Sequence, residues 1–141
     1  MNTSVYFSFE KDWRAVPLAY WVHVPVPGLE DSYDPPVPQA VPHRGYVVLH
    51  VEFERHDLVF SAPAQLDHFI EVLETTPLPT SRQLSARRGP SVGPNGHWLS
   101  RLPAALKSPR TREKLVQALR TIRAQVVTSG PGDSFRFDDE A

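Results

Sequence analysis

"GYVVLHVEFERHDLVFSA", residues 45–62, decides how this chain reads. In "GYVVLHVEFE" (45–54), Val47, Leu49, Val51 and Phe53 fall on one side of an alternating pattern, with Tyr46, His50 and Glu52 opposite. A period of two over this length is the signature of a half-buried strand. "ERHD" (54–57) is a short polar break, and "LVFSA" (58–62) resumes the apolar run, so the stretch predicts a β-hairpin.

Immediately downstream the period changes. In "PAQLDHFIEVLET" (63–75), Leu66, Phe69, Ile70 and Leu73 recur at i, i+3, i+4 and i+7, the apolar stripe of a helix lying on a sheet. Pro63 suits the first turn and Ser61 is a candidate cap. Upstream, "SVYFSFE" (4–10) alternates again, Val5, Phe7 and Phe9 against Tyr6 and Ser8. "PLAYWVHV" (17–24) reads as a further strand, with Leu18, Tyr20, Val22 and Val24 on one face. Between them and the hairpin lies "GLEDSYDPPVPQAVPHR" (28–44), whose prolines at 35, 36, 38 and 42 exclude a helix or a central strand. A polyproline-like surface crossing is the plain reading of this loop.

A second helix is marked by Ser108 as N-cap and Pro109 at the first helical position. Leu115, Leu119, Ile122 and Val126 give its buried stripe. "HWLSRLP" (97–103) predicts a short helix anchored by Trp98, Leu99 and Leu102. Strands precede helices, so the expected fold is α+β: a small antiparallel sheet of about four strands, with two main helices and one short helix packed mainly on one face. At 141 residues the chain suits one domain, here residues 1–127, followed by an acidic, flexible tail at 128–141.

The charges are sorted along the chain. Residues 1–80 carry 4 basic and 11 acidic side chains, a net of −7. Residues 81–127 carry 10 basic and 1 acidic, a net of +9, and residues 128–141 return to −3. Such asymmetry points to a polyanionic partner or to pairing between the halves. Within the basic half, Arg110, Arg112 and Lys114 crowd the first turns of the second helix, where cations oppose the helix dipole at a cost of ~0.3–1 kcal/mol each. Arg82, Arg87, Arg88, Arg101 and Lys107 extend this cationic set, and Trp98 stands among them as an aromatic anchor. "SARRGPSVGPNGHWLSRLP" (85–103) reads as a Gly/Pro-punctuated shoulder of the same face. Its glycine spacing does not match the G-x-x-x-x-G-K-[ST] loop of nucleotide hydrolases.

Absences narrow the classes. With no cysteine there is no disulfide, thiolate metal site or cysteine nucleophile, which fits a reducing cytoplasm. No apolar run approaches the ~20 residues of a membrane helix, and the first residues lack the basic-then-apolar pattern of a secretory signal. Scarce lysine beside frequent arginine and proline hints at a GC-rich bacterial source. There is no G-x-S-x-G, H-E-x-x-H or H-x-x-x-H motif, and no cofactor or metal is expected.

His50 with Glu52, and His56 with Asp57, offer an acid–base or metal pair, but alternation in a strand produces such pairs by default. The aromatic cluster Trp13, Tyr20, Trp21 and Tyr33 near acids suits either a protein interface or the core. The leading expectation is a small non-enzymatic binding or regulatory module that contacts an acidic protein surface through Trp98 and helix 109–126. Nucleic-acid binding through the same face is the alternative, self-association a third mode of contact, and an enzyme with a His/Glu site ranks last.

Overall fold

The computed structural model describes residues 3–16, 18–29, 32–75, 77–80, 83–84, 102–128 and 134–135. Its centre is a three-stranded antiparallel sheet in the order β1 (Thr3–Glu10), β4 (Tyr46–Phe53), β5 (His56–Phe60). The hairpin predicted over 45–62 forms, with Leu49 opposite Phe60 and Val51 opposite Leu58. Glu54 and Arg55 make its turn, both at positive φ, 48° and 70°. Two successive left-handed residues define the type I′ turn, whose twist matches that of the flanking strands. β1 pairs with the other edge of β4 over its full length, so Val5, Phe7 and Phe9 meet Val51, Leu49 and Val47.

One face of this sheet carries the main core. Leu49, Val51, Phe53 and Phe60 are fully buried against α2 (Pro63–Glu74) and α4 (Pro109–Val126). The apolar stripes supply the other side: Leu66, Phe69, Ile70 and Leu73 from α2, and Leu115, Leu119 and Ile122 from α4. Pro63 and Pro109 both stand at the start of their helices. Ser108 takes the N-cap position of α4 by its backbone, while its hydroxyl donates back to the Ala105 carbonyl. Ser61 does not cap α2; Ala62 is the N-cap, and the Gln65 side chain accepts from the Ser61 N–H. A side chain in the first turn thus reaches back to the entering backbone, as the glutamine of a capping box does.

The segment 17–24 is corrected. Ala19–Val22 is a helical turn, α1, followed by the two-residue strand β2 (Val24–Pro25), which pairs with β3 (Tyr33–Asp34) in a separate ribbon. Leu18, Trp21 and Val22 stand at i, i+3 and i+4, so this short apolar run satisfies a helical period as well as an alternating one. The backbone settles the choice: the Val22 N–H bonds the Leu18 carbonyl and the His23 N–H the Ala19 carbonyl, and Leu18, Ala19, Trp21 and Val22 are all buried. Leu18, Trp21 and Val22 join the main core, while Ala19 packs with Trp13, Val16 and Val48 in a smaller core on the second sheet face, beside the short helix Trp13–Ala15.

The antiparallel strands therefore divide between a three-stranded sheet and two-stranded ribbons, with the longer helices on one face. The described short helix is α3 (Ala104–Lys107), just beyond the predicted 97–103, of which 97–101 lie outside the described residues. β6 (Val127–Thr128) pairs with β7 (Ser134–Phe135), and Phe135 is buried with its ring 6.2 Å from that of Phe7.

Candidate functional site

α2 and α4 lie antiparallel, as their ion pairs show. Asp67, early in α2, meets Arg123 near the end of α4, and Glu74 at the end of α2 meets Arg120. The Arg123–Asp67 contact is a two-pronged fork, Nε to Oδ1 and Nη2 to Oδ2, the second bond 3.1 Å long. Internal pairing of the acidic and basic halves thus accounts for the cations of the second half of α4.

It does not account for those of the first half. Among the described residues, Lys107, Arg110, Arg112 and Lys114 have no acidic partner within ion-pair distance. The first turn of α4 also carries no acid to offset them. These four do not form one patch. Arg110 and Lys114, four apart and both exposed, share a ridge pointing away from α2. Arg112 sits about 160° around the axis from Arg110, at the end where α2 stops. There it helps line an open groove of ≈ 470 Å³, floored by Leu73 and Val116 and edged by Glu74, Glu113 and Arg120. Lys107 is half-buried at the turn between α3 and α4. Arg82, Arg87, Arg88, Trp98 and Arg101 lie outside the described residues.

The aromatic cluster resolves toward the core. Trp13 and Trp21 are buried. Trp13 meets the His23 ring edge-on at 5.3 Å and the Tyr33 ring at 5.6 Å. Behind it runs a buried polar chain: His23 Nδ1 donates to the Pro35 carbonyl (2.9 Å), and Gln65 Nε2 donates to His23 Nε2 (3.2 Å) and to Ser61 Oγ (2.7 Å). Ser61 Oγ donates in turn to the Trp13 carbonyl (2.9 Å). Burial lowers the His23 pKa, partly opposed by the bond to Pro35, and the neutral tautomer fits every partner in the chain. This network holds the 13–23 segment against α2 and is structural.

On the outer sheet face, His50 does not pair with Glu52. It lies between Ser8 of β1 and Asp57 of β5, with Nε2 2.7 Å from Ser8 Oγ and Nδ1 3.3 Å from Asp57 Oδ2. The Tyr6 ring stacks on it at 4.4 Å, nearly parallel, and desolvation raises the Tyr6 pKa, with the charges of Asp57 and Glu52 adding to it. Sequence reading separates these residues because they stand on three strands. The signal that joins them is the facing of Tyr6, Ser8 and His50, given the register that sets Tyr6 opposite His50.

Among the described residues no group of three His, Asp or Glu side chains is placed to hold a metal ion. No helix among them is long and apolar enough to cross a membrane. Compared with protein-family models, with curated proteins and with solved structures, the chain matches none of them.

Proposed function

We propose that this protein is a contact module that docks an acidic surface of a partner protein on the first half of α4. One observation carries the reading. Arg120 and Arg123 are matched by acids of α2, whereas Lys107, Arg110, Arg112 and Lys114 are left unmatched among the described residues. Unmatched cations at a helix start work against stability by ~0.3–1 kcal/mol each. An acidic partner reverses that sign. The groove beside them adds an apolar floor, Leu73 and Val116, for one anchoring side chain, and Arg112 stands at its edge for a carboxylate. Charge complementarity of this kind governs the encounter rate and choice of partner more than raw affinity.

The test is affinity purification from the native host at low and moderate salt, with and without nuclease. Wild type is compared with an Arg110→Ala, Arg112→Ala, Lys114→Ala variant. A protein that stays bound after nuclease and is lost from the variant supports the reading. Retention that disappears with nuclease assigns the face to nucleic acid instead, with an affinity that falls steeply with salt. Identical partners for wild type and variant overturn both.

A further inference from the structure

The outer sheet face holds an arrangement that contact with an acidic partner does not use. Ser8, His50 and Asp57 stand in line, hydroxyl to imidazole to carboxylate, with 2.7 Å between Ser8 Oγ and His50 Nε2 and 3.3 Å between His50 Nδ1 and Asp57 Oδ2. We infer that Ser8 is an activated nucleophile, with His50 as its general base and Asp57 as the positioning residue, competent to take an acyl group from small activated esters.

The proton positions follow from the partners. A carboxylate only accepts, so the bond to Asp57 places the neutral imidazole proton on Nδ1. Nε2 then carries a lone pair, and the hydrogen between it and the Ser8 oxygen comes from the hydroxyl. Glu10 Oε2 is a second acceptor for that hydroxyl at 3.3 Å, a longer contact than the one to His50. This is the role assignment of a serine–histidine–aspartate triad, which is recognised by geometry and not by order in the chain.

Each strand contributes one member. β1 and β5 flank β4, and the pairings Tyr6↔His50 and Glu52↔Asp57 bring Ser8 and Asp57 diagonally to either side of His50. The Tyr6 ring, lying flat on the imidazole, holds its plane. His50 keeps only 16% of its side chain exposed, while Ser8 is half-buried.

In the reaction, Ser8 Oγ bonds to the acyl carbon as its proton passes to His50 Nε2. The ester C–O bond breaks and the departing oxygen takes that proton. Water then attacks the acyl carbon, gives its proton to Nε2 and frees the acid, and the proton returns to Ser8. Both partners of Ser8 Oγ, His50 Nε2 and Glu10 Oε2, are acceptors and offer no hydrogen bond to a developing oxyanion. The acceleration therefore rests on general-base help, worth ~10²–10⁴-fold, and suits esters with a good leaving group. Glu10, Glu52 and Asp57 surround the site, so a neutral or cationic ester fits and an anionic one is repelled.

The test uses the full chain with p-nitrophenyl acetate. Nitrophenol release is followed, and the acetylated peptide is mapped by mass spectrometry after an acid quench. The expected result is one acetyl group per chain on Ser8. Ser8→Ala abolishes that label and His50→Gln slows acylation at least tenfold. Asp57→Asn slows it similarly, and Asp57→Glu restores part of the rate. Thermal unfolding of each variant separates lost chemistry from lost fold. Failure of wild type to acetylate, acetylation mapped elsewhere, or a Ser8 label whose rate His50→Gln leaves unchanged in a folded variant overturns the inference.

Discussion

Gln65→Met is the perturbation that best tests how the two cores are joined. Gln65 is fully buried and makes three hydrogen bonds: it accepts from the Ser61 N–H at 2.8 Å and donates to Ser61 Oγ and His23 Nε2. Methionine matches its length and flexibility but offers none of these. Two groups are then orphaned inside the protein, the Ser61 N–H and the His23 Nε2 lone pair; Ser61 Oγ keeps its bond to the Trp13 carbonyl. A buried orphan costs ~1–3 kcal/mol, and the apolar side chain recovers about 1 kcal/mol by transfer, so the net loss is about 3 kcal/mol. Against a total stability of ~5–15 kcal/mol this is a large fraction. Urea unfolding followed by tryptophan fluorescence reads it directly, since Trp13 touches the His23 ring. Ser61→Ala removes one of the same bonds, that from Gln65 Nε2 to Ser61 Oγ, so the double variant should lose less than the sum of the singles. A loss below about 1 kcal/mol for Gln65→Met, or strict additivity with Ser61→Ala, would show that the network is not cooperative and the reasoning fails.

Four further outcomes follow from the same structure. Burial lowers the pKa of His23 and pushes that of His68 down to about 4, so both stay neutral in the fold and bind protons more readily when unfolded. Their stabilisation is complete above the ordinary histidine pKa of 6.5 and is lost as pH falls from there toward the folded values. His68 alone should cost up to about 2 kcal/mol between pH 7.5 and 5, and urea midpoints for wild type and His68→Gln check it. Glu54→Asn with Arg55→Gly relieves two left-handed non-glycine residues and should raise stability by about 1 kcal/mol, read as a higher melting temperature. Gly45→Ala should lose at least ~1–3 kcal/mol in urea unfolding, because Gly45 has φ +103° and a Cβ there would stand 2.5 Å from the Glu10 carbonyl oxygen. Removing Arg123 and Asp67 singly and together should give a coupling energy of about 1 kcal/mol that shrinks in high salt.

The parts of the fold that can be read from residues are those where one periodicity runs long enough to exclude the other. β4 alternates over eight residues, and α2 and α4 hold a helical stripe over two turns or more. The four residues Ala19–Val22 are too few for that, and with Ala19, Trp21 and Val22 all buried, neither period is marked by a polar position. The Ser8–His50–Asp57 line is hidden for a different reason. Ser8 and His50 are 42 positions apart, and their meeting depends on a register that the β1–β4 pairing alone supplies. Once Tyr6 is set opposite His50, the alternation already visible in both strands puts Ser8 on the same face. Facing is legible in a strand; pairing is not.

Charge shows the same division between what is local and what folding decides. Composition gives the segregation, −7 before residue 81 and +9 after it, and pairing between the halves is one explanation for it. The antiparallel packing of α2 on α4 lets this explanation operate only where the two helices run side by side. Asp67 and Glu74 reach Arg123 and Arg120, but Arg110 and Lys114 stand on a ridge that points away from α2, where none of its acids can meet them. An acid at position 111 or 112 would suit the helix dipole and the neighbouring cations, and a sequence shaped by stability alone has reason to place one there. The chain instead carries Thr111 and Arg112. Stability within the fold explains the distal arginines and leaves the proximal cations without a reason, which is why the contact reading is placed on the first half of α4 and not on the helix as a whole.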